Sequence, residues 1–121
     1  MSWKIDNNKP IYIQLLEQVK LKIVSGEIQL GSKLDSVRTL AQDAQVNPNT
    51  MQKALAELER EGLVYSKRTS GRFVTDDKEK IDTMREEIAI KEINNLKQTL
   101  QSLGYDINEI KLIISENIGE V

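Results

Sequence analysis

Between Asn47 and Lys53 the chain sets amide, hydroxyl and ammonium groups close together: Asn47, Asn49, Thr50, Gln52 and Lys53. Further on, Lys67, Arg68 and Arg72 bracket Thr69-Ser70-Gly71, and Lys53 is expected to join this basic tip if the turn closes. These residue types suit a nucleic-acid surface. Asparagine and glutamine amides can bond adenine bidentately, threonine can meet base edges or the thymine methyl, and lysine can serve guanine or phosphate. The hydroxyls of Thr69 and Ser70 and the amide of Gly71 could reach phosphate oxygens or the minor groove. Arg38 adds a planar guanidinium fork, which fits phosphate or guanine. Taken singly, each group reads more simply as solvated surface. The basic cluster gains weight because it is compact, single-signed and follows directly on the polar helix.

Regular elements must position these groups. Pro10 suits a first helical position, and Tyr12, Leu15, Leu16, Val19 and Ile23 follow on one helical face until Gly26. Ile28 to Leu30 reads as a short extended piece ending at Gly31. A second helix starts near Ser36, with Ser36 or Asp35 as its cap and Val37, Leu40, Ala41 and Ala44 as its inner stripe. Gln45-Val46 makes the turn. Asn47 then caps a third helix, Pro48 takes its first position, Met51, Ala54, Leu55 and Leu58 face inward, and Gly62 ends it. Leu63, Tyr65 and Phe73 read as a short antiparallel pair turning near Ser70-Gly71.

The composition shifts at Asp76-Asp77. Residues 78–103 read as one long helix ended by Gly104, and Ile107, Ile110, Ile113, Ile114 and Ile118 mark a last short one. Two helices cannot bury so much aliphatic surface alone, and a second copy is the economical cover. The expected dimer surface comprises Ile81, Met84, Ile88, Ile93, Leu96, Leu100, Leu103, Ile110 and Ile114. The expected fold is thus mainly α with a small β-hairpin. A winged helix-turn-helix DNA-binding domain spans residues 1–75 and a two-helix C-terminal dimerisation tail spans 76–121.

Composition narrows the function further. The 121 residues contain no cysteine and no histidine, which removes thiolate zinc sites, the commonest metal ligand and the commonest general base. Neither a metal nor a cofactor is expected. Carboxylate pairs such as Glu57/Glu61 and Glu86/Glu87 read as solubilising charges, so an enzyme is not expected. Residues 1–75 carry 11 Lys/Arg against 8 Asp/Glu, and residues 76–121 carry 6 against 11. Only the first half is expected to meet an anionic partner. No apolar run approaches the roughly 20 residues of a membrane span, and the N-terminal stretch lacks a signal-peptide core, so a cytoplasmic, membrane-free protein is expected.

The chain resembles the winged helix-turn-helix domain of GntR-type bacterial transcriptional regulators. The residues that carry this are Pro10-Ile11-Tyr12-x-Gln14-Leu15, Gly26-x-Ile28-x-x-Gly31, Leu34-x-Ser36-Val37-Arg38-x-Leu40-Ala41, Val46-Asn47-Pro48-Asn49-Thr50-Met51-x-Lys53-Ala54-Leu55, Leu58-Glu59-x-Glu61-Gly62-Leu63-Val64 and Gly71-x-Phe73-Val74. They cover about residues 9–75. The short helical tail resembles the YtrA-like branch. The resemblance implies a homodimeric repressor of double-stranded operator DNA, often for a neighbouring membrane-transporter operon, without a large effector-binding domain. It marks Arg38, Asn47, Asn49, Thr50 and Gln52 as the major-groove side and Arg68 with the following tip as the wing. Three positions depart from the family pattern: Asp35 for proline, Thr39 for glutamate and Thr69 for glycine. Arg72 is expected to add charge at the tip. A different class of function, a winged-helix module docking an acidic protein, would call for an aromatic or arginine hot spot on the Asn47–Lys53 face. A small-molecule effector is left open.

Overall fold

A computed structural model describes residues 2–119. The chain forms two compact units that divide between Met84 and Arg85, later than the composition shift at Asp76. The reason is local. The first turns of the long C-terminal helix belong to the first unit, and Ile81 is only 4% exposed there.

The first unit contains α1 (Ile11–Val24), α2 (Val37–Ala44), α3 (Pro48–Arg60), β1 (Val64–Lys67), β2 (Gly71–Val74) and the start of α4 (Lys78–Ser102). Pro10 lies one place outside α1, as its N-cap. Leu15, Val19 and Ile23 of α1 pack with Met51, Ala54, Leu55 and Leu58 of α3 in a core that also holds Leu40 and Leu63. All four apolar residues expected on the inner face of α3 are buried. Removing one such leucine side chain costs about 2–5 kcal/mol. The α2–α3 turn is held by Gln45, which adopts φ +57° and donates its N–H back to the last turn of α2. Val46 is half-buried in that turn.

The hairpin is antiparallel, with Tyr65 opposite Phe73 and Lys67 opposite Gly71. The Tyr65 and Phe73 rings stack at 6.0 Å between centroids. The extended piece expected at Ile28–Leu30 lies instead at residues 32–34. There Lys33 pairs with Phe73, Leu34 N–H donates to the Arg72 carbonyl at 2.9 Å, and Val74 N–H donates to the Ser32 carbonyl at 2.8 Å. Ile28 is turned back toward α1, its N–H on the Lys22 carbonyl at 2.9 Å. Left-handed glycines, Gly26 and Gly31, turn the chain on either side of that stretch.

The second unit holds the rest of α4 and α5 (Ile107–Asn117). Asp106 and Glu109 form a reciprocal capping box at the start of α5. Of the residues expected on the dimer surface, Ile93, Leu96 and Leu103 are exposed, and Met84, Ile88, Leu100 and Ile114 are half-buried. Two differ from that expectation. Ile81 and Ile110 are already covered by their own chain, at 4% and 3% exposure. Ile90, Ile107, Leu112 and Ile118, which were not on that surface, are exposed. A groove of about 420 Å³ lies between α4 and α5, lined by Leu96, Leu100, Ile113, Ile114, Asn117 and Ile118.

Candidate nucleic-acid interface

α2 and α3 present their polar ends through good caps. Ser36, not Asp35, caps α2: its Oγ accepts from Thr39 N–H at 3.1 Å and donates to Thr39 Oγ1 at 3.0 Å. Thr39 therefore keeps one half of the capping box that a glutamate would complete. Asp35 remains exposed beside the cap. Arg38 projects from the second position of α2, exposed and in no ion pair among the described residues.

Asn47 caps α3, its Oδ1 accepting from Asn49 N–H at 2.7 Å. Its side chain is thus used to start the helix. Asn49, Gln52 and Lys53 are exposed on the outer face, and Thr50 is half-buried. Lys53 does not join the hairpin tip. Its Nζ lies 3.9 Å from the centre of the Tyr12 ring on α1. An ammonium over an aromatic face is held by the ring quadrupole, so Lys53 belongs to the α1–α3 edge.

In the hairpin, Ser70 N–H donates to the Lys67 carbonyl at 3.0 Å and closes a four-residue turn. Its third residue, Thr69, has φ +71°, the left-handed value that a type II turn assigns to glycine or asparagine. Lys67 leans back over Phe73, with Nζ 4.5 Å from the ring centre. Arg68 is exposed at the tip and in no ion pair among the described residues. Gly71, at φ +101°, faces Lys33: a Cβ there would lie 3.3 Å from the lysine Cε.

Arg72 departs most from the expectation of a charged tip. Its side chain is only 18% exposed and runs back onto α3. Nε donates to Glu59 Oε1 at 3.3 Å, and Nη1 donates to Gln52 Oε1 at 3.2 Å. Ser66 Oγ donates to the same Glu59 oxygen at 2.7 Å. The Glu59 carboxyl is held below the usual range, first by the Ser66 hydroxyl and then by Arg72. The positive charge of Arg72 is therefore spent on joining wing to helix.

Together, Lys33, Ser36 and Thr69 to Arg72 line a cleft of about 790 Å³ between the start of α2 and the hairpin, with Asp35 on its wall. The structure thus brings the α2 terminus and the wing tip to one cleft. Asn49, Gln52 and Lys53 stand exposed on α3, with the Lys53 ammonium over the Tyr12 ring of α1. Four contributors lay outside the sequence expectation: Lys33, Tyr12, Glu59 and Ser66. Only Lys33 carried a signal, as a basic residue two places from a turn glycine. No group of three or more Asp or Glu among the described residues could hold a metal ion, and no described helix is long and apolar enough to cross a membrane.

Known proteins share this arrangement. YhcF of Bacillus subtilis (strain 168), an uncharacterized HTH-type transcriptional regulator, is 32% identical over 110 residues, 91% of either chain. The HTH-type transcriptional repressor YtrA of the same organism is 41% identical over 70 residues, 58% of this chain and 54% of that one. A GntR family transcriptional regulator from Listeria monocytogenes superimposes with a TM-score of 0.86 at 36% identity, covering 93% of this chain and 98% of that one. The AraR DNA-binding domain, solved in complex with operator ORE1, matches with a TM-score of 0.52 at 27% identity over 62% of this chain and 94% of its own. Residues 11–74, from the start of α1 to the end of the wing, match the profile of bacterial regulatory proteins of the gntR family. With its capped α2 and α3, its paired wing and these relatives, the chain belongs to the GntR family as a DNA-binding transcriptional regulator.

Proposed function

We propose that this protein is a homodimeric, sequence-specific repressor that sets α3 in the major groove of its operator with the wing alongside. The carrying observation is the convergence, within one compact unit, of the exposed α3 face, the exposed Arg38 and the Arg68 tip. The AraR domain bound to its operator and the repressor YtrA support the reading. The exposed aliphatic face of α4 and α5 supports a second copy as the cover of the tail, because a helix so apolar on its outer side gains by association. The α4–α5 groove also leaves room for a small effector at a subunit interface.

A gel-shift titration against DNA upstream of the protein's own gene tests this, with excess non-specific competitor. The membrane-transporter operon that the family resemblance implies is the next fragment to try. The expected result is a discrete, competitor-resistant complex of dimer stoichiometry. Its affinity should fall steeply with salt, by a log–log slope of about −0.9 per phosphate contacted. Arg38→Ala should weaken that complex by about 1–3 kcal/mol at fixed salt if the guanidinium makes a bidentate base contact. Competitor-sensitive smearing at every fragment would put the docking of an acidic protein first.

A further inference from the structure

The wing and α3 are joined by one chain of hydrogen bonds: Ser66 to Glu59, Arg72 to the same Glu59 oxygen, and Arg72 to Gln52. The last link has a consequence for base reading. A guanidinium is donor-only, so the Gln52 amide must turn its oxygen toward Arg72. Its amide hydrogens then have no partner among the described residues and lie on an exposed side chain. A freely turning glutamine suits adenine, because it donates to N7 while accepting from the N6 amino group. Accepting from a guanidinium polarises the amide, which weakens its oxygen as a second acceptor and strengthens its hydrogens as donors. Guanine, with acceptors at both N7 and O6, fits that pattern, and adenine meets it with one acceptor and one donor that finds only the weakened oxygen.

We propose that Arg72 is a positioning residue that fixes the Gln52 amide with its hydrogens outward, so that this side chain selects guanine over adenine. The assignment rests on the DNA-binding reading given above. It makes wing and helix one reading unit: a residue of β2 sets the base preference of α3. Glu59 is part of the device. It accepts from Arg72 Nε and so orients the fork toward Gln52. Arg72 is mostly covered, which suits a residue that acts through another.

The experiment is selection of bound duplexes from a randomised DNA library by the full-length wild type, Gln52→Ala and Arg72→Met. Methionine keeps an apolar stem and removes every donor. Gln52→Ala should flatten one position per half-site and so identify the base pair that Gln52 reads. At that position the wild type should select guanine. Arg72→Met should raise adenine relative to guanine there by about fivefold or more and leave the other positions unchanged. A residue that merely supported the fold would lower affinity equally across the site. The assignment is overturned if Arg72→Met keeps guanine and loses affinity uniformly, if Gln52→Ala flattens no position, or if the wild type selects adenine there. Should Arg72→Met fail to fold, as seen by circular dichroism, the wild type on operators carrying 7-deazaguanine at that position decides. Affinity should drop about fivefold or more where N7 is missing, and an unchanged affinity overturns the assignment. A wild type that enriches no sequence overturns the DNA-binding reading itself, and this assignment with it.

Discussion

At φ +71°, Thr69 occupies the left-handed region that β-branched residues avoid, because their branched Cβ crowds the backbone there. The turn must take this shape to bring Lys67 opposite Gly71, so the strain is held by the rest of the hairpin. We expect Thr69→Gly to stabilise the protein by about 0.75 kcal/mol, the middle of a range of about 0–1.5 kcal/mol. This is a left-handed penalty of about 1–2 kcal/mol less a glycine entropy cost of about 0.5–1 kcal/mol. The urea midpoint reads it, and a midpoint at or below that of the wild type would show that the turn accommodates threonine without strain. Glu59 offers a second measurement. Its folded pKa lies below the ordinary value, first through Ser66 and then through Arg72. A depressed carboxylate adds stability above its unfolded pKa, and that contribution is lost as pH falls through the folded one. The wing–helix link should therefore be intact at neutral pH and loosen on acidification below about pH 4. In a carboxyl ¹³C NMR titration, Ser66→Ala should move the Glu59 transition to higher pH; an unmoved transition would remove Ser66 from the network.

Elements here depend on their ends. α2 and α3 are short helices packed on one face, and each begins at a side-chain cap that satisfies a backbone N–H with no partner inside the helix. The same holds in the second unit, where α5 starts at the Asp106–Glu109 box. Asp106→Ala removes one hydrogen bond of that box and a negative charge at the helix N-terminus. It should cost about 1 kcal/mol of stability in a denaturant titration. A loss well under half of that would mean that α5 is fixed by packing of Ile110 and its neighbours instead. The tie between Arg72 and α3 works at this scale too, because both strands of the wing, through Ser66 and Arg72, share one carboxylate of α3, Glu59.

For the molecule as a whole, the proposed dimer depends on aliphatic groups that the single chain leaves in solvent. Ile93 is 63% exposed and Leu96 45%. Burying apolar surface yields about 25 cal/mol per Å², so a seam of such residues can hold two copies, and a buried charge in it is costly. The double substitution Ile93→Glu and Leu96→Glu should give a monomer by sedimentation velocity with an unchanged helical spectrum. Operator affinity should fall at least about tenfold, since one reading head then binds alone. A dimer that survives both charges would place the interface elsewhere. An intact dimer is expected to read half-sites about 34–36 Å apart, or a multiple of that.

The elements could be read from the sequence because their causes are local. Helical spacing of apolar residues gave α1, α3 and α4, and Asn47-Pro48 and Gly62 bounded α3 nearly to the residue. The polar set from Arg38 to Arg68 could be named for the same reason, since its residue types carry their own chemistry. Pairing between distant segments was decided only by the fold. The extended piece at residues 32–34 exists because β2 offers its free edge, and no periodicity over three residues marks it. Charge alone placed Lys53 and Arg72 with the wing tip. Packing placed one over Tyr12 and the other between Glu59 and Gln52, because a cation settles on the ring or carboxylate that tertiary structure brings within reach. Ile81 and Ile110 likewise read as seam residues by spacing, yet their own chain covers them. Spacing tells which face of a helix is apolar, and only the three-dimensional arrangement tells what that face meets.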